Sequence, residues 1–200
     1  MEHLLHLSKD RRLKQLIARH TEPLSLTRQK DIVFYLCASI MSQQLSTKVA
    51  HTIRQRFLDL FGGRSPAPAA LRSIGLSNAK VSYVLNVARF AAEQGLDHRK
   101  LNKMENEEVI AYLTQIKGVG RWTAEMLLMF GLAREDVFAI DDWGIQNAMI
   151  HVYKLDREDK KAFREKLLKI SAKWSPYRTY ACLYLWRWKD NSPVSVAKKK

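Results

Sequence analysis

The chain has 200 residues, with 34 Lys and Arg against 20 Asp and Glu, a formal net charge of +14, and 46% hydrophobic against 27% charged residues. These are globular values that exclude the disordered class, and the length suits one ordinary domain or two small lobes with a sizeable core. The cation excess calls for a polyanionic partner, because phosphates neutralised by Lys and Arg release counterions, although charge alone also fits a merely basic soluble or ribosome-associated protein.

The first stretch, MEHLLHLSKDRRLK, has charges on both sides of a very short apolar run, which is not a signal peptide. Leu13, Leu16 and Ile17 then mark an amphipathic helix. From Asp31, DIVFYLCASIM is apolar enough to predict a buried helix. The polar SQQLS closes it as a loop, and Ser46 can cap the next helix, with Val49, Ile53, Phe57 and Leu60 as its stripe and Gly62-Gly63 as its stop. Ser65-Pro66 opens a short piece ended by Gly75, and Val81, Val84, Leu85 and Ala88 mark another helix. Val109 to Leu113 lead into IKGVGRWTAE, and two carboxylates, Asp141 and Asp142, follow about twenty residues on. A helix through Ile145, Met149 and Val152 comes next, then a charged amphipathic one from about Arg157 to Lys173, then YRTYACLYLWRW.

Strand alternation is nearly absent, so the class is all-α, with residues 1–190 as the working domain and 191–200 as a loose basic tail. No apolar run approaches the ~20 residues of a membrane span. Cys37 and Cys182 read as reduced core thiols of an intracellular protein, and two cysteines cannot ligate an iron–sulfur cluster.

Gly118 and Gly120 place a tight turn between two helices, spanning about residues 110–131 in all. Glycine there admits conformations closed to other residues and close approach of a ligand. The helix beginning near Arg121 points its free N–H groups and positive dipole end beyond the turn, an anion site for which a DNA phosphate is the natural occupant. Any tight turn between helices can use such glycines, so the pair alone leaves a structural reading open. Asp142 likewise reads as a plain N-cap accepting from Gly144 or Ile145 N–H. The cap and a chemical role are compatible.

Four stretches in order, IMSQQLSTKVA, GVGRWTAEM, EDVFAIDDWGI and WSPYRTYACLYLW, cover most of the chain from Asp31 to Trp188. They resemble the helix–hairpin–helix DNA glycosylase superfamily and, within it, the alkylbase branch, the 3-methyladenine DNA glycosylase II family. The chain begins almost directly with the helical core, so it resembles the short members, and Lys117 stands where the hairpin usually has proline.

The resemblance implies two helical lobes with double-stranded DNA held in a cleft between them. It implies Asp142 as the catalytic carboxylate, with Asp141 a structural neighbour. Trp122, Trp186, Tyr180 and Met126 would form the base pocket. Lys117, Gly118, Val119, Gly120, Arg121, Gln43, Gln44 and Ser46 would meet DNA, Gln44 filling the space left by a flipped nucleotide or else being a solvated loop residue. Carbonyls of Thr114, Ile116 and Val119 would hold a Na+ or K+ ion, with no other cofactor required. Members that also cut the backbone carry a lysine after the hairpin arginine, and Trp122 has no amine.

The implied activity is hydrolysis of the N-glycosidic bond of alkylated purines, 3-methyladenine and 7-methylguanine above all, leaving an abasic site. The alternatives are a non-enzymatic helix–hairpin–helix DNA-binding module and, less compatible with Trp122, a lyase-type glycosylase. A monomer is expected, acting at the bacterial nucleoid or in a eukaryotic nucleus, with no membrane partner.

Overall fold

The computed structural model describes residues 2–20, 22–43, 45, 47–61 and 68–191. In chain order the helices are α1 (Glu2–Leu7), α2 (Arg11–Ile17), α3 (Ile32–Ser42), α4 (Thr47–Phe61), α5 (Pro68–Ser73), α6 (Asn78–Gln94), α7 (His98–Leu101), α8 (Asn106–Leu113), α9 (Arg121–Met126), α10 (Trp143–Tyr153), α11 (Lys160–Ser171) and α12 (Arg178–Asn191). A π turn, Leu127–Gly131, prolongs α9, and a 3-10 turn, Ala172–Trp174, follows α11. No strand occurs among the described residues. Gln44, Ser46, Gly62-Gly63, Ser65-Pro66 and the tail from residue 192 lie outside them. The chain forms two compact bodies, residues 27–133 and residues 1–26 with 134–200.

In the 27–133 body α3 is the core, packed against α4, α6, α9 and the π turn. Asp31 caps it by accepting from Phe34 N–H, and Ile32, Leu36, Cys37, Ile40 and Met41 are buried. Burial pushes the Cys37 thiol up to about 12, so it is an inert packing group. On α4 only part of the expected stripe turns inward. Ile53 and Phe57 are buried, Phe57 stacking on Phe34, whereas Val49 and Leu60 are exposed because the inward face is a narrow i, i+4 seam. On α6, Val81, Val84 and Val87 are buried, with Leu85 and Ala88 at the margin.

In the other body α12 packs against α10 and α2. Asp10 organises its base. Oδ1 accepts from Arg12 and Leu13 N–H, and Oδ2 accepts from Tyr153 Oη at 2.7 Å and Trp174 Nε1 at 3.3 Å. Trp174 is fully buried, as a core tryptophan should be, but Trp188 is only half-buried, tilted against His151, and is not core. The charged amphipathic helix is α11, shorter than its pattern because Asp159 caps it and the 3-10 turn ends it.

The segment before the carboxylates is irregular but tied down. Asp136 accepts from the Arg178 guanidinium and Ser175 Oγ, and Thr179 Oγ1 donates to Arg134 O while accepting from Val137 N–H. This fastens residues 134–137 to the start of α12 and fixes the approach to Asp142.

Candidate active site

Asp142 is the N-cap of α10, in extended conformation, with Oδ1 accepting from Ile145 N–H at 2.8 Å. The same oxygen accepts from the Trp186 indole Nε1 at 2.9 Å. Cap and indole together fix the plane of the carboxylate. Gly144 makes room for this. A Cβ there would stand 3.1 Å from Asp142 Oδ1, 3.2 Å from Trp186 Cδ1 and 3.3 Å from Lys189 Cδ. Asp141, one residue earlier, faces elsewhere and pairs with Arg164 at 2.5 Å.

Of the other expected pocket residues, Tyr180 is held away from this cluster. It sits six positions before Trp186, roughly 9 Å down the helix and about 240° around it. Its ring stacks on His3 at 4.0 Å and its hydroxyl donates to Glu135 at 2.9 Å. Burial, then that carboxylate, pushes the phenol up to about 12. Tyr180 is therefore a packing residue of the α12 start.

Trp122 and Met126 lie in the 27–133 body and line one cavity of about 290 Å³ together with Tyr35, Ser39, Gln43 and Arg54. Trp122 is 40% exposed, unusual for a tryptophan in the first turn of a helix. Gln43 Nε2 donates to Thr123 Oγ1 at 3.2 Å, which ties the end of α3 to the helix that carries Trp122. A larger cavity of about 490 Å³, at the other end of α10 beside Asp10 and Tyr153, contains none of the expected site residues.

The two hairpin glycines differ. Gly118 has φ +107°, and a Cβ there would fall 2.3 Å from Tyr83 Cγ, so the fold itself demands glycine. Gly120 has φ −93° and nothing within 4 Å of a built Cβ, so no strain or neighbour requires it. The expectation that both adopt special conformations is corrected for Gly120. Its lack of a side chain leaves open space at the exposed N-cap of α9. Val119 is buried and Lys117 exposed, with the Lys117 carbonyl accepting from Asn86 Nδ2.

Arg121, expected to meet DNA, is engaged within the protein. Its guanidinium donates to both Glu107 oxygens at 2.6 and 2.9 Å and to Glu125 Oε1 at 3.0 Å. These contacts raise its pKa and lower that of Glu107, and they make the residue a strut between α8 and α9. Thr114 and Ile116 stand at the end of α8, where carbonyls leave the helical ladder, and the Ile116 carbonyl accepts from Val119 N–H. Main-chain oxygens of this kind suit a hard monovalent ion. Among the described residues no group of His, Cys, Asp and Glu has the arrangement of a metal site.

Three residues near these clusters were not expected from sequence. Trp143, immediately after Asp142, is 60% exposed with the Lys189 ammonium 5.3 Å over its ring. Lys80, on α6, donates to Met41 O at 2.8 Å and Gln43 O at 2.6 Å. An exposed aromatic at a helix start was a readable signal for Trp143, but nothing local in the sequence announces Lys80 or Lys189.

The model of the HhH-GPD superfamily base excision DNA repair protein matches residues 37–173. DNA-3-methyladenine glycosylase 1 of Schizosaccharomyces pombe is 35% identical over 92% of this chain and 84% of its own length. Among solved structures, a DNA-3-methyladenine glycosidase of Bacillus halodurans aligns with TM-score 0.78 and 35% identity, covering 93% of this chain and 88% of that one. A 3-methyladenine DNA glycosylase of S. pombe in complex with abasic DNA aligns with TM-score 0.80 and 32% identity, covering 95% and 97%.

Proposed function

The chain belongs to the HhH-GPD superfamily of base excision DNA repair proteins, and we propose that it is a monofunctional DNA glycosylase that hydrolyses the N-glycosidic bond of alkylated purines in duplex DNA. Its substrates are 3-methyladenine and 7-methylguanine, the base whose release the relatives' names describe and its close chemical analogue. The observation that carries the reading is the Asp142 carboxylate, held by a backbone N–H and the Trp186 indole at a helix N-terminus.

A carboxylate so fixed offsets the positive charge that grows at C1′ as the C–N bond lengthens, and it helps to position water on the open face of C1′. The bonding pair departs with the base, water supplies the hydroxyl at C1′, and its proton is lost. Methylation at N3 or N7 already makes the purine cationic, so the leaving group needs no acid. Trp122 offers its indole face to that cation, an attraction of roughly 0.5–2 kcal/mol. With no amine at this position the strand stays intact around an abasic site.

The hairpin meets phosphate through the open space at Gly120 and the exposed Lys117, while Arg121 braces it from behind. Carbonyls of Thr114, Ile116 and Val119 would hold Na+ or K+ and add positive charge beneath that phosphate; the bond cleavage itself requires no cofactor. The protein acts as a monomer where the chromosome is, in nucleoid or nucleus. No helix among the described residues is long and apolar enough to cross a membrane. A non-enzymatic DNA-binding module would need Gly118 but would give no reason for the Asp142–Trp186 bond.

The test is to incubate the protein with methylated duplex DNA and identify the bases released. Free 3-methyladenine and 7-methylguanine with strands that break only on alkali treatment are expected. Binding with no release supports the module instead.

A further inference from the structure

Helix α3 is apolar for most of its length, yet three of its side chains carry hydroxyls along one face. Tyr35, Ser39 and Ser42 stand at i, i+4 and i+7, neighbours on the same side of a helix. All three are half-buried, and all three line the cavity of about 290 Å³ beside Trp122 and Met126. A helix that only filled a core would gain nothing from such a stripe, because every hydroxyl taken from water needs a partner.

The partners fix where the protons lie. Ser39 Oγ donates to Tyr35 O at 2.9 Å, Ser42 Oγ to Ala38 O at 2.8 Å, and Tyr35 Oη to Met126 O at 3.3 Å. A carbonyl has no hydrogen to give, so the hydroxyl is the donor in each bond. Every hydroxyl has one proton and two lone pairs, and with the proton committed to the main chain it meets a guest as an acceptor. Burial raises the Tyr35 pKa, which keeps that proton in place. Among the described residues the cavity wall contains no carboxylate, and its one cation, Arg54, is exposed, where water and salt screen it. This face of α3 therefore presents a row of neutral acceptors.

We propose that the hydroxyl row of α3 selects purines bearing an exocyclic amino group, whose N–H groups donate to the oxygens of Tyr35, Ser39 and Ser42. The inference rests on the glycosylase reading above and narrows the substrate class of that same site. 3-Methyladenine carries such an amine at C6 and 7-methylguanine at C2. Three acceptors spread over seven residues, roughly 10 Å of helix, let an amine at either position find one. Hypoxanthine has no exocyclic amine and leaves those oxygens without a donor from the base. A cavity that fitted only the outline of a purine would discriminate weakly between them, whereas one built to bond an N–H rejects the analogue that lacks it.

The experiment measures single-turnover excision of 7-methylguanine and 7-methylhypoxanthine, each opposite cytosine in the same duplex, with every rate divided by that base's spontaneous release. Both bases are cationic and differ only in the 2-amino group, so the attraction of Trp122 for positive charge is common to both. The wild type should favour 7-methylguanine by about tenfold, the effect of one hydrogen bond to a charged group. That preference runs against flipping, since hypoxanthine pairs more weakly with cytosine and leaves the stack more easily. The triple variant Tyr35→Phe, Ser39→Ala, Ser42→Ala should lose more on 7-methylguanine than on 7-methylhypoxanthine and bring the ratio to within about twofold of one. Its binding to undamaged duplex should match the wild type, because the hydroxyls meet only a flipped base. If the triple variant does not fold, the three single variants carry the comparison, and at least one must lower the ratio about threefold or more. A wild-type ratio at or below one, or a ratio unchanged when the hydroxyls are removed, would overturn the proposal. A wild type that releases neither methylated base removes the reading beneath it, a result distinct from equal release of both.

Discussion

Trp186 reaches Asp142 through its indole N–H, so its two attributes, a donor and an aromatic face, are separable by substitution. Trp186→Phe keeps the face and removes the donor. It should slow release of cationic 7-methylguanine and neutral hypoxanthine alike, by about tenfold or more, the usual effect of losing a hydrogen bond to a charged group. Trp122→Ala removes only an aromatic wall and should slow 7-methylguanine several-fold more than hypoxanthine, since a cation loses roughly 0.5–2 kcal/mol of attraction there. Equal losses in Trp122→Ala would mean that this tryptophan only shapes the cavity. The cap at Asp142 was legible in the sequence because an aspartate before a helical apolar pattern is a helix-start signal, and the catalytic role proposed for it would use the same position. The packing of Tyr180 was not legible, because its partners, His3 and Glu135, come from distant parts of the chain and leave no trace in the local pattern.

At the scale of elements, the two hairpin glycines differ: the fold requires Gly118, whereas open space surrounds Gly120, where the phosphate contact is proposed. Gly118→Ala meets both a positive φ and the Tyr83 ring, and should cost roughly 2–4 kcal/mol in urea unfolding. Gly120→Val should leave stability nearly unchanged yet weaken binding to damaged and undamaged duplexes equally, because phosphate contacts carry no sequence information. A variant that altered lesion preference alone would remove the phosphate role. Sequence spacing located the turn but could not separate the two residues, since only the neighbour across the fold distinguishes them. The same holds for Arg121, whose carboxylate partners include Glu107 on another helix. The fastening of residues 134–137 to α12 carries a pH signature. Burial alone would raise the Asp136 pKa, but hydrogen bonds from Arg178 and Ser175 bring it below its usual value. A carboxylate depressed on folding contributes fully above its unfolded pKa, near ~3.9, and loses that contribution as pH falls through the folded value. Wild type should therefore exceed Asp136→Asn in stability at neutral pH, with the gap closing below about pH 4. A gap that persisted unchanged into acid would show that charge is not the source.

For the whole molecule, the helical class was readable because apolar residues recur at helical spacing from α2 to α12, and the net charge of +14 pointed to a polyanion. Two lobes were expected from the resemblance, but where the chain divides was not readable, since residues 1–26 join residues 134–200 through contacts such as those of Asp10 with Tyr153 and Trp174, which no linker composition marks. Charge and hairpin explain attraction to DNA, whereas cleavage of the glycosidic bond is assigned to one carboxylate. The direct measurement is single-turnover release of 7-methylguanine from a duplex by the wild type and by Asp142→Asn, with binding of both to the same duplex recorded in parallel. Asn keeps the side chain's size while removing the charge that offsets C1′, so release should fall by at least about a thousandfold, the scale of electrostatic transition-state stabilisation, with binding within a few-fold of wild type. Release by Asp142→Asn at near wild-type rate, or an equal loss in Asp141→Asn, would contradict the account.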